Sequence, residues 1–306
     1  MRIAVVGGGP AGLYFALLMK KQDPAHEIAV YERNRADSTF GWGVVFSDET
    51  VGRFAEADPE SHEALTRAFA WWSDIDIQVR KERVRSTGHR FCALARRTLL
   101  DILHGRCAAV GVRLVFETEV TDLAALAADL MVVADGANSR IRTAHAAHFA
   151  PEIAWSRNKF SWLGTDLPLS TFTFIFKESP YGLFQVHAYP FESARSTFIV
   201  ECREEVWRAA GLHAADEAQS VRYLEALFAE ELQGHPLLTN RSLWRTFPTV
   251  RNATWRMGSV VLLGDAAHTA HFSIGSGTKL AMEDAIALAE TFAVRRDAPV
   301  PEVLAA

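Results

Sequence analysis

The hydrophobic positions of this chain change their period along its length. An apolar run at 2–7 (RIAVVG) gives way to apolar residues at helical spacing over 10–22, then to a second run at 27–32 (EIAVYE). Short continuous runs bounded by Gly or charged residues read as buried strands, so the opening predicts a β-α-β unit. The pattern further predicts a helix over 96–109, a strand at 112–116 and a buried strand at 130–134. After about residue 157 the texture changes. Segments 171–177, 182–190 and 195–202 are rich in β-branched and aromatic residues, with short turn-like stretches between them. That predicts an antiparallel sheet with one buried face. An amphipathic helix is expected over 216–232, a buried strand from 259, and a helix with a strong apolar face over 276–293.

These elements predict an α/β fold in which a Rossmann-like nucleotide-binding domain is discontinuous, built from 1–156 and 250–306. A sheet-based substrate domain, 157–249, is inserted between the two parts. The final PVPEVLAA reads as the opening of a further helix, so the chain is expected to be a truncated one.

Composition narrows the function classes. The chain has 306 residues, 49% of them hydrophobic, enough for one large domain or two interlocked ones. A net charge of −5 and the lack of a Lys/Arg-rich run argue against nucleic acid as a partner. No apolar stretch approaches the roughly 18–20 residues needed to cross a bilayer, and a strand starting at once leaves no room for a secretion signal. Cys92, Cys107 and Cys202 are odd in number and widely spaced, with no C-x-x-C. They are expected to be buried thiols in a reducing compartment, which places the protein in the cytoplasm.

Three separate turns carry the candidate chemistry. Gly7-x-Gly9-x-x-Gly12, with Pro10 and Ala11 opening the helix, leaves a strand and enters that helix. Gly7 suits the tight turn, Gly9 the approach of a pyrophosphate, and Gly12 the packing of helix on strand. Glu32, 20 residues after Gly12, is placed to accept hydrogen bonds from a ribose. This turn alone does not separate FAD from NAD. In VVADGANSRIR, Asp135-Gly136 follows a buried strand, with Ser139 and Arg142 beyond it. In LLGDAAHTAHFSIGSGTKLAMEDAIALAE, Gly264-Asp265 ends a strand and a Gly275-x-Gly277 loop feeds a helix. A carboxylate there can hold a ribityl hydroxyl, and the glycine loop can approach a flavin ring and stabilise its reduced, negative edge.

With its three turns in this order, the sequence resembles the class A flavoprotein monooxygenases of the para-hydroxybenzoate hydroxylase superfamily. The resemblance implies FAD as cofactor, with Gly7, Gly9, Gly12 and Glu32 on its ADP half. It puts Asp135 and Gly136 near the pyrophosphate, and Gly264 and Asp265 on the ribityl chain. Arg96 fits the R-x-x-L-x-x-x-L helix start with Leu99 and Leu103, whose arginine contacts the cofactor, although Arg97 stands beside it. Arg33 is either near the adenine or a solvated surface residue. GWGVVFSDET, FCALARR, RNKFSWLGT and STFIVEC resemble the aryl-CoA subgroup, the salicylyl-CoA hydroxylases and 2-aminobenzoyl-CoA monooxygenases. His271, Ser276 and Lys279 depart from the Pro, Gln and Asn usual in the wider superfamily and fit that subgroup.

The implied reaction hydroxylates an activated aromatic ring, using NADH or NADPH and O2 through a C4a-hydroperoxyflavin. No second Gly-x-Gly-x-x-Gly follows a strand, so the nicotinamide is expected to visit transiently. A fused or associated reductase domain is a further implied partner. An indole-type ring hydroxylase and a non-catalytic flavin-binding fragment remain alternatives. For orienting substrate, Gln185, His187 and Tyr189 alternate along one strand face that meets either ligand or solvent. His271 in the flavin loop is the other candidate. The pairs His268/His271 and His145/His148 lack a third ligand, so no metal is expected. Arg157, Lys159, Arg195 and Arg203 are cations available to CoA phosphates.

Overall fold

In the computed structural model, which describes residues 1–80, 82–274 and 277–306, the chain folds around two large sheets and one small one. Arg2–Val6 lies at the centre of the first sheet, apolar and buried from Ile3 to Val6 as a strand covered on both faces must be. Glu27–Tyr31 and Leu130–Val133 pair with it on either side, and Arg113–Val115 and Val260–Leu262 pair outside those, all in parallel. The two-residue strand Arg256–Met257 closes one edge in antiparallel fashion. Helix Pro10–Gln22 is buried along most of its length, between this sheet and the helices Arg96–Ala109 and Gly277–Val294. The doubly wound half expected from the hydrophobic pattern is therefore present.

The second sheet orders Leu237–Leu238, Pro151–Thr165, Arg195–Arg203, Gly182–Glu192, Phe172–Ser179, Ile75–Val79 and Glu82–Ser86, with Arg245–Asn252 also paired to Pro151–Thr165. Two of its strands, Ile75–Val79 and Glu82–Ser86, come from the segment assigned by sequence to the nucleotide half. Ile75–Val79 joins in parallel beside Phe172–Ser179, burying Asp76 beneath Arg83, Arg85 and Thr171. Residues 157 and 249 are not element boundaries: the strands Pro151–Thr165 and Arg245–Asn252 run across both positions.

The third sheet, Gly43–Ser47, Phe91–Ala95 and Ala70–Trp72, stands between the two. Its inner side chains join an aromatic cluster with Tyr189, Phe191 and Ile199 of the second sheet. Trp72 stacks on Phe91 and on Tyr189, with ring centroids 6.2 and 6.1 Å apart. On its other face the second sheet is covered by the helix Glu217–Leu227, which starts with a complete Asp216/Gln219 capping box. No helix among the described residues is long and apolar enough to cross a membrane. Cys92, Cys107 and Cys202 are buried, and burial pushes each thiol up to about 12.

Candidate functional site

The Gly-rich turn is held by contacts that leave no room for side chains at two of its glycines. Gly7 adopts φ +113°, and a Cβ there would lie 2.2 Å from the Ala134 carbonyl oxygen. A Cβ on Gly12 would lie 2.2 Å from the Gly7 carbonyl oxygen, so helix and strand meet backbone to backbone. Gly9 differs: a Cβ there would meet nothing within 4 Å. It faces open space at the N-terminus of helix Pro10–Gln22, where unpaired N–H groups suit an anion.

Glu32 closes this turn from the neighbouring strand. The Gly8 N–H donates to Glu32 Oε2 at 2.8 Å, and the Asn34 N–H and Nδ2 donate to Oε1 at 2.8 and 2.6 Å. Asn34 went unnoticed in the sequence, where nothing marks it. The pocket beside them is lined by Gly7, Gly9, Glu32, Arg33, Arg96, Asp135 and Gly136 among others. Pro10 and Ala11 sit buried in the first helical turn. Arg33 is exposed at the pocket's rim.

Asp135 and Gly136 follow the strand Leu130–Val133. The Arg140 N–H donates to Asp135 Oδ2 at 3.1 Å, while the buried Oδ1 has no hydrogen-bond partner among the described residues. Burial raises this carboxyl above its ordinary value. Arg142 is 1% exposed and spans two turns. It donates to the Ala137 carbonyl at 2.5 Å and to the Ala266 carbonyl at 3.1 Å, tying the Asp-Gly segment to the Gly-Asp segment.

The Gly-Asp turn is held from the opposite side by Asp284 of helix Gly277–Val294. Asp284 Oδ2 accepts from the Gly264 N–H at 3.2 Å and lies 2.8 Å from His268 Nε2, which raises the His268 pKa. Asp265 projects into the cleft that this turn borders, reachable by solvent yet hemmed in by protein. That desolvation lifts its carboxyl, while Arg96 and His268 pull the other way. Arg96 lines three adjoining recesses: the one at Glu32, one near Phe40 and His104, and the one at Asp265. Arg97 instead pairs with Asp101 at 2.8 Å and donates to the Asp37 carbonyl, facing away. Of the two arginines, Arg96 is therefore the one that borders these recesses.

The recess at Asp265 is walled by Gly43, Val45, Trp162, Phe172, His187, Tyr189, Phe272 and Gly277. Here the nucleotide half meets the large antiparallel sheet. The face carrying His187 and Tyr189 turns inward; they are 6% and 5% exposed, which excludes the solvent-facing alternative. Gln185 is half-buried and does not line the recess. The Tyr189 hydroxyl donates to the Gly43 carbonyl at 2.9 Å and its ring stacks on Phe172 at 5.2 Å. It is a wall whose polar end is already engaged. His271 does not line the recess; its Nδ1 lies 2.8 Å from Ser273 Oγ and its ring packs on Phe272 at 4.3 Å. Burial lowers the His271 pKa. Gly275 and Ser276 lie outside the described residues. Lys279 pairs with Glu283 at 3.7 Å.

Glu201 is a buried acid behind the recess that the sequence reading overlooked. It is 4% exposed, accepts from Asn158 Nδ2 at 2.7 Å, and faces His187 Nε2 at 3.5 Å and His271 Nε2 at 4.0 Å. Burial alone would raise its carboxyl, but His187, Asn158 and His271 outweigh that and hold it below the ordinary value. The signal was an acid inside the apolar run STFIVEC, where an unpaired charge could not be buried. Of the four cations considered for CoA, Lys159 donates to Thr246 Oγ1 at 2.7 Å and Arg203 pairs with Glu205 at 3.6 Å. Arg157 and Arg195 are exposed, and none of the four lines the recess. Among the described residues no three His, Cys, Asp or Glu side chains are grouped to hold a metal ion.

These features fit a flavin dinucleotide. An open approach at Gly9 suits its pyrophosphate, an orphaned Asp135 oxygen awaits a donor, and Asp265 and Arg96 border the same recess. Comparison with known proteins agrees. Residues 1–297 match the FAD binding domain family. A salicyloyl-CoA 5-hydroxylase from a Streptomyces species is 48% identical over 99% of this chain, which spans 60% of that relative's length. The 3-hydroxy-4-methyl-anthranilyl-[aryl-carrier protein] 5-monooxygenase of Streptosporangium sibiricum is 40% identical over 95% of this chain and 78% of its own. Among solved structures, the tetrameric form of 2-methyl-3-hydroxypyridine-5-carboxylic acid oxygenase superposes with a TM-score of 0.81 at 18% identity. It covers 99% of this chain and 85% of its own, a likeness of fold.

Proposed function

We propose, from the premise that this chain belongs to the FAD binding domain family, that it forms the flavin- and ring-binding part of an aromatic hydroxylase. Its substrate is a ring activated by a hydroxyl or amino group and carried as an aryl thioester, of the salicylyl-CoA or 2-aminobenzoyl-CoA type. One observation carries this reading. A single recess joins Arg96 and Asp265 of the nucleotide half to an aromatic wall bearing His187, so a flavin ring and a second ring can share it.

The residues divide the work by position. Gly7, Gly9 and Gly12 with helix Pro10–Gln22 hold the pyrophosphate, and Glu32 has acceptor capacity left for the ribose. Asp135 takes a donor near the diphosphate, Asp265 holds the ribityl chain, and Arg96 links the two ends of the cofactor. Bound FAD supplies hydride acceptance from NADH or NADPH and the activation of O2. Gly277 opens the helix beside the flavin edge. Phe172, Trp162 and Phe272 exclude water and set the plane of the substrate ring, with His187 as its polar contact. His271 acts behind Phe272, and Tyr189 serves as a wall. The nicotinamide visits without a turn of its own, and a reductase domain, fused or associated, is the partner this arrangement calls for.

The test is oxidation of NADH or NADPH by the FAD-loaded protein, with and without salicylyl-CoA or 2-aminobenzoyl-CoA, followed by mass spectrometry of the thioester. Stimulated oxidation and a product heavier by one oxygen are expected. No stimulation by either thioester, alongside turnover of free indole, would overturn the reading.

A further inference from the structure

We infer that Glu201 fixes the tautomer of His187, so that the recess selects aromatic rings whose substituent donates a hydrogen bond. The inference rests on the proposed ring substrate and concerns how that ring is chosen. Glu201 and His187 sit on adjacent strands, Arg195–Arg203 and Gly182–Glu192, with both side chains buried. Oε2 of Glu201 faces Nε2 of His187 across 3.5 Å. Hydrogen bonds in unliganded sites are often this long and tighten when the ligand seats.

An ionised carboxylate only accepts, so the ring nitrogen facing it carries the hydrogen. Neutral imidazole has one donor and one acceptor, which leaves Nδ1 of His187 as the acceptor. Both ring nitrogens are buried without a hydrogen-bond partner among the described residues; Nε2 has the 3.5 Å contact with Glu201 on its side, and Nδ1 has no polar group facing it. Phe174 and Phe272 meet the ring edge-to-face at 5.2 and 5.7 Å, holding it in place. Asn158 secures the far oxygen of Glu201 at 2.7 Å, so the carboxylate is held as well. A buried, unpartnered acceptor on a side chain that lines a ligand recess favours a ligand that brings a donor. Phenolic O–H and aromatic N–H2 groups both qualify; an ether oxygen or an unsubstituted ring does not.

Glu201→Gln makes the inference reversible. With its carbonyl kept on Asn158, the amide would present N–H2 to His187 Nε2, moving the imidazole hydrogen to Nδ1. The recess would then offer a donor. The experiment titrates 2-aminobenzoyl-CoA, 2-methoxybenzoyl-CoA and benzoyl-CoA into the oxidised, FAD-loaded protein and reads the flavin absorbance change. The natural chain is expected to bind the amino ligand about tenfold more tightly than benzoyl-CoA. In Glu201→Gln the amino ligand should lose that advantage and the methoxy ligand gain on it, with benzoyl-CoA changed less than about threefold. His187→Leu should erase every preference; it also decides the matter if Glu201→Gln does not hold FAD. An unaltered amino preference in His187→Leu, or in a flavin-loaded Glu201→Gln, would overturn the inference. Failure of every thioester to perturb the flavin of the natural chain would instead overturn the proposed substrate class.

Discussion

At the scale of single residues, the Gly-rich turn separates folding from binding. Gly7 combines a left-handed φ of +113° with a Cβ position 2.2 Å from a backbone oxygen. Gly7→Ala should cost more than about 3 kcal/mol and yield a chain that unfolds well below the natural one on heating. At Gly9 the backbone is ordinary extended chain and the Cβ would point into empty space. Gly9→Ala should leave stability within about 0.5 kcal/mol. It should still weaken FAD at least tenfold, read by flavin fluorescence quenching, because the methyl occupies the pyrophosphate's approach. Equal loss of stability in both variants would contradict this division. The roles of these glycines were legible from their spacing between strand and helix. Glu201 was not read, because its meaning depends on Asn158 and His271, which lie 43 and 70 positions away in the chain.

At the scale of elements, the two loops that border the cofactor cleft are braced by charged side chains on other elements, Arg142 buried and Asp284 half-buried. Arg142 donates to the Ala137 and Ala266 carbonyls at once, and among the described residues only Asn252 Nδ2, at 3.3 Å from the Ala266 oxygen, offers a second donor. Arg142→Met should therefore destabilise by roughly 3 kcal/mol and loosen FAD together with it, measured by urea unfolding and by titration. Across the cleft, Asp284 raises the His268 pKa, so protonated His268 stabilises the folded chain. That contribution is complete below the unfolded His value near about 6.5 and fades as pH climbs through the higher folded value. Asp284→Asn keeps an acceptor for Gly264 but removes the charge. The stability gap between natural chain and variant should be largest, roughly 1–2 kcal/mol, near pH 6 and shrink by pH 9. A gap that widens with pH would refute the pairing. The helix at 96–109 was readable because one periodic face meets the core, and the helix at 10–22 because its long apolar run, buried on all sides from Pro10 to Met19, opens on the Gly-rich turn. The strands Ile75–Val79 and Glu82–Ser86 were not. Their stretch DIDIQVRKERVRS is charged; the two strands pair with each other, and they join the large sheet only through Ile75–Val79 beside Phe172–Ser179, far along the chain.

At the scale of the whole molecule, the question is whether the two large sheets act as one body. The small sheet Gly43–Ser47, Phe91–Ala95 and Ala70–Trp72 packs its aromatic side chains into the same cluster as Tyr189, Phe191 and Ile199. The Tyr189 hydroxyl and Thr197 Oγ1 both bond the backbone of Gly43, at 2.9 and 3.0 Å. Val45, Trp72, Ala93, Tyr189, Phe191 and Ile199 are all buried in that seam, so neither half can unfold without exposing apolar surface on the other. The chain should accordingly melt in one calorimetric transition, with its calorimetric and van't Hoff enthalpies equal. Although the proposed FAD site draws on the nucleotide half and the floor of the shared recess, bound FAD should raise that single transition as a whole. At a free concentration about 100 times its Kd, the stabilisation is about 2.7 kcal/mol, or about 4 °C for a chain of this size. Tyr189→Phe, which strands the Gly43 carbonyl, should lower the transition while leaving the FAD-induced rise intact. Two transitions of which FAD moves only one would show that the aromatic seam does not couple the halves, and that the recess between them is free to open.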